Sequence, residues 1–331
     1  MTSVAAASGT SAASAVQAFH QGPFPTATRT VTREAAAPTR RLRADVCVLG
    51  AGISGVTAAV EAARLGLDVL LVDGLPAIGG QAVHSIIGTF CGLFGNGSHG
   101  PQLTHGLADD LLGDLGAQGA LHYRHGPMTT VVMYDEVALA RWVDRQILDS
   151  GVTTLTGAFV RSVQRDGRRV RRIDVATRYG PVSVEATSFV DASGDAALVW
   201  DAGLPCREPE DGPIYGTQML VVENLDEEHA PERGLVSERL WERGREYGLT
   251  RRDGFAFSFK GRGIALVNMT HIDTPLDPVE LSANGLRGRL EAARALDFLK
   301  GEFPRCFADA GSGPSACRGS ARPAGSPGST S

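Results

Sequence analysis

An α/β fold organised around a parallel sheet is what this sequence predicts, on three observations. The apolar run Val46-Cys47-Val48-Leu49 leads into Gly50-Ala51-Gly52-Ile53-Ser54-Gly55 and then into an alanine-rich stretch of helical character. A second apolar run, Val69-Leu70-Leu71-Val72, ends on Asp73. Between Val152 and Ala186, short β-type runs alternate with the turn pairs Asp166-Gly167 and Tyr179-Gly180. Strand, glycine turn, helix and strand form the βαβ unit of parallel sheets, and closely spaced turns add an antiparallel meander.

Each part of the βαβ unit, Arg43 to Asp73, has a dinucleotide role. Gly50 permits a tight turn, Gly52 lets backbone N–H groups approach a pyrophosphate, and Gly55 lets the helix lie close on the sheet. Ala58, Ala59, Ala62 and Ala63 keep the helix slim, and Gly66 is placed to end it. The helix N-terminus, starting at Ile53 and Ser54, offers unpaired donors and partial positive charge to phosphates. Asp73 is placed to accept hydrogen bonds from the ribose hydroxyls of adenosine, and an acid there repels a 2′-phosphate. FAD and NAD remain as ligands.

Gly79-Gly80 follows Asp73 after a short loop, and Phe189-Val190-Asp191-Ala192-Ser193-Gly194-Asp195 reads as a later strand ending in a glycine turn. In these residues the chain resembles flavoenzymes of the glutathione reductase fold. That resemblance implies FAD, with Gly79 and Gly80 beside its ribose and pyrophosphate. It implies that Ser193, Gly194 and Asp195 form a turn returning to the dinucleotide, and that the backbone of Val160 recognises adenine. Asp191 to Asp195 together with Asn268-Met269-Thr270 resembles, more narrowly, bacterial FAD-dependent oxidoreductases distantly related to fumarate reductase flavoproteins, over about Asp45 to Phe303. The expected architecture is a Rossmann-like FAD-binding domain, parallel sheet plus antiparallel β-meander, with an inserted α+β substrate domain.

A chain of 331 residues with 43% hydrophobic content is long enough for two layered domains. Its net charge of -5 gives no basic footprint for nucleic acid. The arginines at 165, 168, 169, 171 and 172 flank the Asp166-Gly167 turn and read as a solvated hairpin tip. No apolar run approaches the roughly 18 residues that span a bilayer, so a soluble, cytoplasmic protein is expected. Thr39-Arg40-Arg41-Leu42 has the outline of a twin-arginine signal, but the apolar residues after it belong to the nucleotide strand. Five cysteines form no CxxC pair, which excludes a redox disulfide and suits a reducing compartment; Cys47 reads as a small buried hydrophobe.

Along the chain, 1–42 is expected to be a disordered leader and 43–203 the FAD-binding domain. Within it, 74–133 contributes partly to the flavin front, with one helix near Leu103 to Leu115. An amphipathic helix follows from Asp135 to Ser150, and Ser188 to Asp191 is the strand that returns to the cofactor. The substrate or cap region, 204–305, should hold a strand at Thr217 to Val222, a helix near Glu232 to Tyr247 and strands at Phe255 to Phe259 and Ile264 to Met269. A long helix then runs from Asp277 as N-cap and Pro278 at N1 to about Lys300. Residues 306–331 read as a disordered tail, because after Gly311 almost every residue is Gly, Ser, Pro, Ala or Thr. The closing strand and helix that the resemblance implies have no counterpart there, so a C-terminally truncated, poor or inactive enzyme is expected.

His84, His99, His105, His122 and His125 crowd one third of the chain, but no cysteine or acid pair completes a metal pattern. Their functional reading is polar lining of the flavin front; solvent exposure is the simpler reading for each. Ser85 to Leu93 should approach the isoalloxazine ring, and Cys91 within it reads as a buried small side chain rather than a flavin attachment point. Asn268, Thr270 and His271 end a strand and are the substrate-side candidates. Related proteins often carry arginine where His271 stands, and its absence argues against a dicarboxylate. The expected function is hydride transfer between a small organic substrate and flavin N5, with no catalytic base or electron acceptor indicated. The alternatives are an NAD-binding, thiazole-synthase-like protein and an inactive or weakly FAD-binding truncated fragment.

Overall fold

Val46 to Leu49 are apolar without alternation because both faces of their strand are covered, as in parallel sheets generally. The computed structural model describes residues 29–30, 39–207, 214–259 and 261–312. The first strand, β1 (Arg40–Leu49), lies between β2 (Val69–Val72) and the long β9 (Gly180–Asp191), parallel to both. β6 (Thr153–Leu155) adds in parallel outside β2, and β7 (Ala158–Asp166) and β8 (Arg169–Thr177) continue from β9 as an antiparallel meander. The six-stranded order is β6-β2-β1-β9-β8-β7. The expected Ser188 to Asp191 strand is thus the end of one strand that serves both meander and parallel sheet. β6 belongs to the parallel part, not to the meander in which its residues were expected.

The leader boundary at 42 is corrected. Arg40 to Ala44 pairs in register with Val182 to Ala186. Leu42 and Ala44 point to the core while Arg41 and Arg43 stay exposed, a period-two pattern too short to read in isolation. Arg40 and Arg41, the twin-arginine outline, are strand residues.

On one face of the sheet lie α1 (Ile53–Arg64), which buries Gly55, Val56, Ala59 and Val60, and α4 (Glu136–Asp149), which buries Leu139, Trp142, Val143 and Ile147. Asp135 starts α4 as expected, its Oδ1 accepting the N–H groups of Val137 and Ala138 at 3.0 and 2.9 Å. Leu107, Leu111 and Leu115 of α3 (Leu107–Ala117) close this core with Tyr134, and the Trp142 indole N–H donates to Asp114. On the other face Cys47, Leu49, Leu70 and Val72 pack against Ile173, Val175 and Val184 of the meander. The arginine-flanked Asp166-Gly167 turn is exposed, with Gly167 at φ 59°.

The stretch expected to hold one helix also contains short α2 (Gly80–His84) and a three-stranded antiparallel sheet. Its strands, β3 (Thr89–Phe90), β5 (Thr130–Tyr134) and β4 (Leu121–His125), lie in that order. β5 is buried throughout and hides among glycines and histidines in the sequence. After α5 (Ala197–Asp201), a second antiparallel sheet forms from β10 (Leu220–Glu223), β11 (Phe255–Phe259), β12 (Ile264–Asn268) and β13 (Gly311–Ser312), ordered β11-β12-β10-β13. Helices α6 (Arg233–Arg243), α7 (Pro278–Glu302) and α8 (Pro304–Phe307) bury Leu240, Phe298, Leu299 and Phe307 against its Leu220, Val222 and Val267. The expected helix to Tyr247 ends at Arg243 and finishes as a 3-10 turn.

The tail boundary at 306 is corrected as well. Cys306 and Phe307 are buried, and Gly311 and Ser312 pair with Glu223 and Val222. Two apolar side chains and a free sheet edge order a stretch whose composition carries no strand signal. Residues 313–331 lie outside the described residues, as do 1–28 and 31–38 of the expected leader.

Candidate dinucleotide site

β1 has β2 on one side and β9 on the other, so the strand order reverses direction at β1 and opens a crevice at the carboxyl ends of the strands. Its last carbonyl, that of Leu49, accepts the Ala192 N–H at 2.8 Å, and the Gly50 N–H donates to Val72 O at 2.8 Å. Gly50 has φ 101°, and a Cβ there would run into the Ala192 carbonyl. A Cβ on Gly55 would run into the Gly50 carbonyl, which explains how closely α1 lies on the strand. Gly52 is different: its Cβ direction meets no described atom nearer than the Gly80 Cα at 3.9 Å. No side chain caps the N-terminus of α1 and no acid sits in its first turn. The N–H groups at Ile53 and Ser54 therefore open onto the space beside Gly52.

The Asp73 carboxylate clamps this turn. Oδ2 accepts the Ala51 N–H at 2.5 Å and Oδ1 the Leu75 N–H at 2.6 Å, and each oxygen keeps a further lone pair. Gly79 donates its N–H to Ala51 O at 2.7 Å and bridges Gly52. A Cβ on Gly80 would stand 2.6 Å from the Gly52 Cα, so the two glycine motifs touch backbone to backbone. Val160 lies on β7, at the edge of the sheet. The Ala158 N–H donates to Asp73 O at 2.9 Å, away from β8, and strand alternation sends the Val160 N–H and C=O to that same free edge.

The return turn is held by Asp191, a motif residue to which sequence reasoning gave no role of its own. Its Oδ1 accepts the Ser193 N–H and hydroxyl at 3.1 and 2.6 Å, and its Oδ2 the Val199 N–H at 2.9 Å. The Ser193 hydroxyl in turn accepts the Ala197 N–H at 2.8 Å. Gly194, at φ 85°, has nothing within 4 Å of its Cβ direction, and Asp195 beside it is exposed.

A family model described as FAD dependent oxidoreductase matches residues 45–323. The chain belongs to this family. Among solved structures it is similar to a geranylgeranyl bacteriochlorophyll reductase-like protein from Thermoplasma acidophilum, with TM-score 0.52 and 17% identity, over 85% of this chain and 67% of that one. It is also similar to the flavin-dependent brominase Bmp2, with TM-score 0.50 and 14% identity, over 84% of this chain and 67% of that one. At such identities the likeness is one of fold. A search of curated proteins found no match. FAD is the cofactor of the family, and the open cradle at Gly52, whose Cβ direction meets only the Gly80 backbone among the described residues, has room for its pyrophosphate.

In this FAD dependent oxidoreductase the substrate-side candidates separate. Thr270, two residues past the end of β12, is 1% exposed; its hydroxyl accepts the Gln218 N–H at 2.8 Å and donates to Gln218 O, so it ties this segment to the one that leads into β10. Asn268 Oδ1 accepts from Thr217 at 3.0 Å and from Arg251, which sequence reasoning missed. His271 stacks on Tyr215 with centroids 4.7 Å apart and 8° between planes, 3.9 Å from Asp253. Burial and the Arg251 charge lower its pKa, against the pull of Asp253 and Glu291.

The clustered histidines do not gather at one point, although the rings of His99 and His125 lie 5.4 Å apart, centre to centre. His84 faces Ile78 O, His105 pairs with Asp109, and His125 sits on Ser98 O and Thr130. Ser85 to Phe90 does pass between the two halves: Ile86 packs with Met219, Val221 and Leu266. Cys91 is exposed, which corrects the buried reading, because β3 stops at Phe90 and the chain leaves the sheet. Beside the first turn of α1 an apolar cavity of about 120 Å³ is lined by Ile53, Val56, Phe90, Leu107 and Trp142. Among the described residues no three side chains meet as a metal site requires, and no helix is long and apolar enough to cross a membrane.

Proposed function

We propose that this chain binds FAD in the crevice at Gly52 and transfers a hydride between a small organic substrate and flavin N5. The observation that carries the reading is the contact of Gly52 with Gly80 at the point where strand order reverses, since it leaves backbone donors facing a space that no side chain fills. Gly50, Gly52, Ile53, Ser54 and Gly55 would hold the pyrophosphate. Asp73 would accept from the ribose with its remaining lone pairs, Gly79 and Gly80 would line the neighbouring loop, and the Val160 backbone would pair with adenine. Ser193, Gly194 and Asp195 would face the cofactor from the return turn.

Bound FAD supplies the hydride acceptor, and the chain supplies placement and proton handling. Asn268 and His271 are the substrate-facing residues of this reading; Thr270 holds them in place. His271, kept neutral near pH 7 by its lowered pKa, can take a proton from a substrate group. The four described cysteines are free thiols, which supports a reducing compartment such as the cytoplasm.

The test is the absorbance spectrum and cofactor stoichiometry of the purified chain. A yellow protein with near one FAD per chain is expected. A colourless protein that carries NAD, or one that takes up no FAD on reconstitution, would remove this reading.

A further inference from the structure

Two arginines from opposite halves of the chain meet on one face of β11. Phe255 and Phe257 present their rings side by side there, with centroids 5.7 Å apart and a 30° tilt. Arg233, the first residue of α6, places its guanidinium carbon 4.1 Å from the Phe255 ring centre. Arg124, on β4, places its own 5.8 Å from that of Phe257. Arg64, Arg171, Arg243 and Arg262 each have a carboxylate partner. Among the described residues neither Arg124 nor Arg233 has one; their recorded partners are the rings. Burial, and then the charge of Arg233, lower the pKa of Arg124, so the two cations lie close enough to repel.

The position of this pair is specific. Phe257 and Phe259 pack with Ile86, in the segment that follows the second glycine pair, while Ala256, between Phe255 and Phe257, packs toward Leu240 and Met269 under the helices. The ring-bearing face of β11 is therefore the one turned to the nucleotide half. A guanidinium stacked on a ring keeps its N–H groups free around its edge. Two such edges over an apolar floor match one planar oxyanion, held by charge-assisted bonds that the low-dielectric rings strengthen.

We propose that Arg124 and Arg233 form a carboxylate clamp backed by Phe255 and Phe257, so that the substrate is a small carboxylate with an apolar or aromatic body. The clamp supplies a cationic group of the kind whose absence at His271 argues against a dicarboxylate. Its role toward a substrate rests on the flavin reading; its binding of a carboxylate does not.

The probe is benzoate, titrated calorimetrically into the FAD-loaded protein, with neutral benzamide as its isostere and inorganic phosphate as a competing anion. Benzoate binding is expected to weaken with salt. It should fall about tenfold in Arg124→Gln or Arg233→Gln, and more in the double variant, with Tm and FAD content unchanged. Arg124→Lys should recover part of the loss. The clamp is overturned if the double variant binds benzoate as the parent does, if benzamide binds as well as benzoate, if phosphate binds more tightly, or if benzoate does not bind. Arginine-dependent benzoate binding by a protein that takes up no FAD would leave the clamp standing and remove the flavin reading. FAD uptake with arginine-independent benzoate binding would do the reverse.

Discussion

Gly52 and Gly55 stand three residues apart in one motif and are glycines for different reasons. At Gly55 a methyl group would collide with the Gly50 carbonyl, whereas at Gly52 it would enter open space. Gly55→Ala is therefore expected to damage the fold itself, lowering Tm. Gly52→Val should leave Tm of the cofactor-free protein nearly unchanged while abolishing FAD uptake, as read by flavin fluorescence. Equal FAD affinity in Gly52→Val and parent would place the pyrophosphate elsewhere. Glu136 shows a different conflict. It is half-buried, its Oε1 lacks a partner, and burial followed by the charge of Asp135 raises its pKa above 4.5. A folded-state pKa above the unfolded one opposes folding when the group is charged, and that penalty disappears as pH falls from the raised pKa to the ordinary one. Glu136→Gln should thus stabilise at pH 7 by about 1 kcal/mol, with the gain closing toward pH 4.5. A gain that is constant with pH would show that charge is not its cause.

At the scale of elements, the helix starts were the most legible features. Asp277 accepts the N–H groups of Val279 and Glu280 at 2.9 and 2.8 Å, with Pro278 at the first helical position, as the spacing predicts. Asp277→Ala should cost about 1 kcal/mol in denaturant unfolding, the usual value of an N-cap. Asp135→Ala should cost more, because that carboxylate also binds Arg262 at 3.1 Å and so ties α4 to the β11–β12 turn. Equal losses in the two variants would show that the Arg262 bond adds nothing. Strand boundaries were less legible. β3, β4 and β5 lie where glycine and histidine break any pattern, and only the Val131-Val132-Met133-Tyr134 run marks the buried member. β13 has no signal at all, since glycine and serine become a strand there only by pairing with β10.

At the scale of the whole molecule, the two halves meet through Ile86, Gly88 and Leu266. A Cβ on Gly88, already at φ 60°, would run into Leu266. FAD, held by the first half, is expected to raise the unfolding temperature by mass action, about 2.7 kcal/mol at a free concentration one hundred times Kd. A calorimetric scan in which FAD shifts one transition for all described elements would show that the halves unfold together. A shift confined to an early or late transition would show that they do not.

The sequence by itself determined the βαβ unit, the glycine turns, the acid at the end of β2 and the helix caps, because these depend on residues within a few positions of one another. Only the tertiary structure decided the rest. Asp73 holds Ala51 and Leu75 in place, Asp191 organises the return turn, Gly52 meets Gly80, and Thr270 is buried in hydrogen bonds to Gln218. Arg124 and Arg233, more than a hundred residues apart, share one face of β11. Such pairings are fixed by strand order and helix packing across the chain, and local propensity carries no information about which distant side chain will arrive opposite another.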